Sequence, residues 1–537
     1  MLWFKRIIPI SLSFIAVFLI SFFWENIYLP YDDSVKIIGE YSEGNHHHLN
    51  DTMRFICFLV LPLFTFFIAY IFTNKSKVKP LKNIFNENQN DLFFLQKNYK
   101  KNFCFLFFCI ILFVNFLSLN LPDYKLDIFH EGQLLSGALN YELKDKLWMG
   151  SYINTGLFYD ILNTKISWFL FDNQSIGAYR IFTLFLNYLY LISVLILIYQ
   201  ISTIFKFSKD KENYFFILLS IFCIYFYTIK SSNFPNYRDL FGIFFLICLI
   251  NALVKNKFGK INYFLIGSFS ITSLLWSLDR GIFLNASLFL LLITLSFKKK
   301  FLDISLIFFG IFFFWILFFF IVGNEEFKAF IFNSINILQY NEVWNGIIHP
   351  QPFSGDKDST RASKALILFI INGIIITKYL IKKNNKLDLN TRLFLGLFYS
   401  FGIFYYKVGL SRSDGGHIVI GSSINYILFV ILFVYELLNF NFKKLKINFS
   451  SNVTFIFIII LTMLVIGNLF KKSNSNFENF FSSISRIKEF VSKKDSFFLE
   501  KNYQNLITQL SSITNDQSCI QNFNYDPTMY YLLKKKS

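Results

Sequence analysis

The chain has 537 residues, 54% of them hydrophobic, including 75 Phe, and carries a formal net charge of +18. A water-soluble domain cannot hide that much apolar surface, because the buried fraction saturates as domains grow, so a soluble enzyme or binding module is excluded. The charge excess sits in short lysine-rich joints between long apolar runs, which is information about membrane topology. It excludes nucleic acid, the partner a basic chain otherwise suggests.

From the N-terminus, Lys5 and Arg6 precede an apolar stretch that continues to Trp24 with no small-residue cleavage site. This predicts a retained first helix (7–24) rather than a removed signal peptide. Further apolar runs follow at 53–73, 102–119, 180–205, 213–229, 239–254, 261–277, 281–297, 301–322, 365–381, 392–408, 417–438 and 452–469. Each approaches the length that crosses a bilayer core at a helical rise. In lipid the backbone must satisfy its own hydrogen bonds, so the runs are predicted helices. The predicted fold class is an all-α polytopic membrane protein of about thirteen transmembrane helices. Five of the six cysteines fall inside apolar runs without metal-type spacing and read as small apolar fillers.

The joints form two alternating sets. One holds Lys5 and Arg6, the lysines from Lys75 to Lys101, Lys206 to Lys211, Lys255 to Lys260, Lys298 to Lys300, Lys382 to Lys386 and Lys443 to Lys446. The positive-inside rule makes this the cytoplasmic face of a plasma (inner) membrane protein, with the N-terminus inside. The other set is 25–52, 120–179, 230–238, 278–280, 323–364, 409–416 and the tail from 470, predicted to be extracytoplasmic. All six His lie in or at the edge of that set, as do Arg54, Arg180, Arg238, Arg280, Arg361, Arg412 and Arg486. Lysine suffices for orientation, whereas the planar fork of arginine grips phosphate or carboxylate. Residues 1–469 read as the membrane domain, with outer loops at 120–179 and 323–364. Residues 470–537 read as a small extracytoplasmic α/β region, with a strand at 518–523 and a helix that Asp526 caps and Pro527 opens.

Ionisable groups gather in the outer set. On a helix Asp127, His130 and Glu131 would share one face, supplying base, acid partner and cation ligand. Leu134, Leu135 and Leu139 give the same segment an amphipathic character that a membrane surface alone also explains. Downstream, Trp148, Tyr152, Asn154, Tyr159 and Asp160 are residue types suited to stacking on and hydrogen-bonding a sugar. Asp279 and Arg280, in the turn Ser277-Leu278-Asp279-Arg280-Gly281, are costly at that depth unless paired or functional. Arg412, Asp414 and His417 crowd a glycine-rich turn whose backbone can approach a ligand closely. The run His46-His47-His48 with Asp51 reads as a polar loop, since successive histidines do not share a face. No phosphate loop, nucleophile elbow or HExxH sequence occurs, so ATP-driven chemistry is not supported.

The segment Asp127-Ile128-Phe129-His130-Glu131-Gly132-Gln133-Leu134-Leu135, followed by Trp148 to Asp160, resembles the first large outer loop of polytopic GT-C glycosyltransferases, the group that includes polyprenyl-phosphate-sugar-dependent envelope enzymes and protein mannosyltransferases. The resemblance implies a GT-C-like helical bundle, an acidic general base in an early outer loop, a polyprenyl-phosphate sugar donor and inversion at the sugar carbon. It makes Asp127 and Glu131 base candidates, with His130 orienting the base or helping to hold a divalent cation, and no metal site is assigned. Arg280 and Arg412 become donor-phosphate candidates by their chemistry. In many members the acidic loop follows the first helix; here it follows the third, and the pair Asp32-Asp33 in 25–52 is a second candidate counterpart. The expected partners are the bilayer, the lipid-phosphate sugar and a lipid or glycan acceptor. A flippase or transporter would need charges near the bilayer midplane and matching halves; a lipid-glycan polymerase or ligase would share the arginine- and histidine-rich outer loop.

Overall fold

An apolar run in lipid reaches full hydrogen bonding only as a helix, and each predicted run is occupied by one. The computed structural model describes residues 4–29, 49–74, 98–151, 153–205, 207–225, 237–255, 259–345, 347–355, 357–382, 387–439, 451–514, 519–521 and 526–535. Helices α1 (Phe4–Phe22), α2 (Asn50–Thr73) and α3 (Tyr99–Ser118) lead to the first long joint, which holds α4 (His130–Lys144), a π turn (Phe158–Leu162) and α5 (Asn163–Phe171). Then come α6 (Ile176–Ile204), α7 (Lys209–Ile224), α8 (Leu240–Leu249, continued by a π turn to Val254), α9 (Gly259–Trp276), α10 (Leu278–Phe297) and α11 (Phe301–Asn345). The bundle closes with α12 (Lys357–Ile381), α13 (Leu389–Tyr405), the short α14 (Lys407–Ser411), α15 (Gly415–Asn439) and α16 (Ser451–Lys472). The tail adds α17 (Phe477–Phe481), α18 (Ser483–Val491), α19 (Lys501–Thr514) and α20 (Thr528–Leu532).

Among the described residues no strand occurs, and nine helices are long and apolar enough to cross a membrane. The protein is an all-α polytopic membrane protein. Phe64, Phe72, Phe103 and Phe320 stand exposed on these helices, the arrangement expected where lipid replaces water.

The two sets of joints contact partners within their own set. At the lysine-rich end, Lys101 is ion-paired with Glu212, Lys211 Nζ donates to the Leu438 carbonyl at 2.7 Å, and Lys298 donates to Asn390. At the opposite end, the Asn476 amide donates to Ser118 O (3.0 Å), Leu278 N to Thr155 O (2.6 Å) and Ser413 N to Ile347 O (3.2 Å). There too His349 N donates to Asp51 Oδ2 at 2.7 Å. These bonds connect ends that are far apart in sequence and belong to alternate joints.

At four places the structure revises or adds to the sequence-based reading. The second outer loop, 323–364, is largely helical: α11 runs to Asn345, broken at Gly323 (φ 80°), and α12 starts at Lys357. The chain reverses at that break, because the Phe318 and Phe330 rings lie 5.2 Å apart, whereas twelve helical residues would separate them by roughly 18 Å. A further arginine joins Arg6 among the residues of the lysine-rich end. Arg392 lies at the start of α13, buried at the lysine-rich end, and donates to the Tyr379 and Leu380 carbonyls, both at 3.4 Å. Asp127 precedes α4 rather than sharing its helical face. The described part of the tail is helical, and most of the strand expected at 518–523 lies outside the described residues. Asp32, Asp33, His46, His47, His48 and Tyr152 also lie outside them, as do most lysines of 75–97 and 443–446.

The tail is not a separate unit. Leu135, Ala138, Trp168, Ile176 and Ala178 share one apolar core with Phe490, Phe498 and Tyr531. Gly132 lets α20 approach, since a Cβ there would sit 2.2 Å from Thr528 Oγ1.

Within the bundle, α9 and α11 cross backbone to backbone. A Cβ on Gly267 would stand 2.1 Å from the Ile307 carbonyl oxygen, and one on Gly310 would stand 2.3 Å from that of Phe264. Small residues permit such crossings in membranes, where packing replaces the hydrophobic effect. Gly267→Leu is expected to force the helices apart and to destabilise the protein by about 1–3 kcal/mol. A lowered thermal midpoint of the detergent-solubilised variant checks this; an unchanged midpoint would show that the crossing is loose.

Candidate functional site

The N-terminus of α4 is built by its own acids. Asp127 Oδ1 accepts the Phe129 and His130 amides at 3.0 and 2.9 Å, satisfying donors that a helix start leaves open. Its Oδ2 holds His130 Nδ1 at 2.8 Å. A carboxylate only accepts, so Nδ1 carries the proton and Nε2 is the basic nitrogen. Both side chains are open, His130 at 75% exposure and Asp127 at 49%. Partial burial pulls the Asp127 carboxyl up, but the His130 amide and ring and the Phe129 amide outweigh that and hold it below its ordinary value.

Glu131 faces the other way. Its Oε1 and Oε2 accept Arg180 Nε and Nη2 at 2.8 and 2.7 Å, and Oε2 also accepts the Asp127 amide at 3.0 Å. Arg180 is buried; it donates further to the Pro122 and Tyr124 carbonyls and stacks over Tyr124 at 4.1 Å. The Glu131 carboxylate is therefore occupied in holding the outer loop on α6.

A second network joins residues 237–239, the start of α10 and the end of α13. Arg238 Nη2 donates to both oxygens of Asp279 (3.0 and 3.1 Å), and Arg238 Nε donates to Ser277 Oγ at 3.2 Å. Arg280 Nε donates to Asp239 Oδ1 at 3.0 Å, and Arg280 Nη1 is paired with Asp279. Tyr405, at the end of α13, donates to Asp239 Oδ1 as well. Two guanidiniums thus meet two carboxylates beside a cavity of about 10 Å³, room for about one water, lined by Arg238, Asp239, Ser273, Arg280 and Tyr405.

The loop at Thr155–Asp160 covers this network. Asp160 is buried and accepts the Thr155 and Gly156 amides at 2.6 and 3.1 Å. Gly156 has φ +147° and lies against Ser277, 2.8 Å from its Cα to a virtual Cβ, so a side chain there is excluded twice over. Phe158 stacks on Trp276 at 3.6 Å, and Arg238 lies over Tyr159 at 4.8 Å. Trp148, expected to face a sugar, packs edge-on against Phe318 and Phe330 instead, and Glu326 holds its loop by accepting the Leu147 and Trp148 amides.

Arg412, Asp414 and His417 repeat the first arrangement. Asp414 Oδ1 caps α15 through the Gly416 and His417 amides (2.9 and 3.0 Å), and Oδ2 holds His417 Nδ1 at 2.7 Å and Arg412 Nε at 3.3 Å. Arg361 stands against Gly415, paired with Asp358 at 3.1 Å.

Sequence reasoning missed a third buried network. His349 Nε2 lies 3.0 Å from the Tyr406 hydroxyl, its backbone amide binds Asp51, and Arg54 pairs with Asp51 at 3.5 Å while lying over Trp24. Burial pushes the His349 imidazole down to about 4. The acid at the start of α2 and the histidine next to Pro350 were the available signals, but nothing in the spacing pairs them. Tyr405 and Tyr406, adjacent in sequence, join this network to the Asp239–Arg280 network.

The structure thus brings Asp160, Asp279 and Arg280 into one assembly with Arg238, Asp239 and Tyr405. Among the described residues, no hydrogen bond or ion pair links Asp127 or His130 to Arg412, Asp414 or His417. Within the first loop, α4 packs on the segment that covers the arginine network: the Asp160 carbonyl lies 2.7 Å from a virtual Cβ on Gly137. Among the described residues, no group of three or more His, Cys, Asp or Glu stands together to hold a metal ion. No protein family matches the chain, and no curated protein does.

Asp160 makes the loop sensitive to pH. Burial raises its carboxyl from 3.8 to about 6, against the Thr155 and Gly156 amides and the Arg238 charge, which pull it down. The folded chain therefore binds a proton between those values that the unfolded chain does not. Its contribution grows as pH falls from 6 toward 4 and is lost as pH rises through 6, a swing of about 3 kcal/mol. Asp160→Asn is expected to shrink the difference in thermal midpoint between about pH 5 and about pH 7.5; an undiminished difference assigns the pH dependence to other groups.

Proposed function

We propose that this chain is a membrane glycosyltransferase of GT-C-like architecture, with thirteen membrane-crossing helices, its lysine-rich end in the cytoplasm and its acid–arginine end outside a plasma membrane. It moves a sugar from a polyprenyl-phosphate donor to a lipid or glycan acceptor. The observation that carries this reading is the open Asp127–His130 pair at the start of α4. Asp127 is fixed by two amides and fixes the imidazole, so Nε2 is a pre-oriented base at the loop surface.

In this reading His130 Nε2 takes the proton of the acceptor hydroxyl as its oxygen bonds to the sugar carbon. The bond from that carbon to the phosphate oxygen breaks on the opposite side, inverting the centre. Guanidiniums of the same end hold the leaving phosphate and stabilise its charge. Glu131 supports the site through Arg180 rather than acting as base.

His130→Ala is expected to lower transfer from a polyprenyl-phosphate sugar in proteoliposomes by about 10²–10⁴-fold with the fold intact. Glu131→Gln leaves Arg180 buried without its partner, a loss of about 3–5 kcal/mol that should show as protease sensitivity of the tail. Full transfer by His130→Ala would end the proposed base. Orientation has its own check: a cysteine at position 130 should be labelled by an impermeant reagent on intact cells, and labelling only after permeabilisation would invert the topology.

A further inference from the structure

The carboxylate of Asp279 occupies a nest of donors. Arg238 Nη2 reaches both its oxygens, Ser277 Oγ donates to Oδ1 at 2.8 Å, the Arg280 amide donates to Oδ1 at 2.8 Å, and Arg280 Nη1 closes on Oδ2. Two guanidiniums, a hydroxyl and a helix-start amide converging on one small anion is the donor set that recognises phosphate. The two acids of the network are not equivalent. Asp239 is 3% exposed and is locked by Arg280 and Tyr405, whereas the Asp279 side chain is 41% exposed.

We propose that Arg238, Ser277 and Arg280 form a binding site for a phosphodiester or phosphate group, and that Asp279 is its resident stand-in, displaced outward when the ligand arrives. The exchange conserves charge. Among the groups in direct contact, Asp239 balances one of the two guanidiniums and leaves one positive charge for an outer anion, and a phosphodiester carries the same single negative charge as Asp279. No buried ion is left unpaired at either end of the exchange, which is what makes it affordable in a site of low polarity. Asp279 moves from a position already open to one fully hydrated. Phe158, Tyr159 and Trp276 wall the site with aromatic rings suited to the group next to the phosphate. Read with the proposed transfer, the ligand is the donor phosphate, but the binding site does not depend on that reaction.

The test is a ³¹P NMR titration of the full-length chain in neutral-lipid nanodiscs, with inorganic phosphate and with a short-chain prenyl sugar phosphodiester. The wild type should bind the diester saturably. Asp279→Asn, which removes the competitor, should tighten binding by about tenfold or more. Arg238→Gln should abolish it, and Arg238→Lys should weaken it because the fork is lost. Asp279→Ser serves where the Asn variant does not fold. Tightening for both probes identifies the phosphate itself as the recognised group; tightening for the diester alone identifies a lipid headgroup. Unchanged affinity in both Asp279 variants, or wild-type binding that survives Arg238→Gln, overturns the proposal. The two readings fail separately: binding that responds to Asp279 without any sugar transfer sinks only the glycosyltransferase activity, and transfer indifferent to Asp279 sinks only the exchange.

Discussion

The structure depends on the cost of an unpaired charge in hydrocarbon. That cost sends ionisable side chains to the ends of the helices and forces those that stay deep to meet partners. The chain obeys it twice. Lysines close one end, where Lys101 reaches Glu212 and Lys298 reaches Asn390. Most acids, histidines and arginines fall in the joints of the other, where many of those described pair with one another. Once the ends are sorted by residue type, each crossing helix is obliged to deliver its next joint to the opposite end. The hydrogen bonds between remote joints, such as Asp51 with His349 and Thr155 with Leu278, are the result.

Within the acid–arginine end, the Glu131–Arg180 pair organises the first loop. Arg180 stands at the start of α6 and gathers the Pro122 and Tyr124 carbonyls, the Glu131 carboxylate and the faces of Tyr124 and Phe498. Phe498 belongs to the tail, so one guanidinium ties loop, membrane helix and tail together. A buried ion pair of this kind adds little net stability over an apolar substitute, but losing one partner is severe. Its effect is therefore specificity of arrangement. Because Glu131 is turned inward, Asp127 and His130 remain at the surface of the same helix start.

Hydropathy and charge made the helices and the two ends legible in the sequence. Both follow from local composition, and neither requires knowing which helices touch. The pairings were not legible. Asp127, His130 and Glu131 stand within five residues and look alike in sequence, yet one caps the helix, one is held open and one is buried. Only the position of Arg180, forty-nine residues on, separates them. The apolar run 301–322 ends where the break at Gly323 lies, but the helix that resumes after it to Asn345 was not legible, because its residues no longer form an uninterrupted apolar run. Arg392 escaped the topological pattern because it binds backbone carbonyls at the end of α12. The network of Asp51 and His349 spans almost three hundred residues with no motif at either end.

The adjacent tyrosines at the end of α13 give the two deep networks a common support. Tyr405 donates to Asp239, which neutralises Arg280; Tyr406 meets His349, whose amide satisfies Asp51. Neighbouring residues on one short stretch cannot shift independently by much, because the backbone between them has only a few soft dihedrals. A displacement of this corner therefore strains both networks together. The same corner continues into α14 and the Asp414 cap of α15, where Arg412 and His417 are partly exposed and paired with Asp414. Rigid pairing at depth and open pairing at the rim are arranged along one stretch of chain, from Tyr405 to His417. This gradient keeps the deep charges buried with their partners, while Arg412 and His417, held by Asp414, stand partly open at the rim.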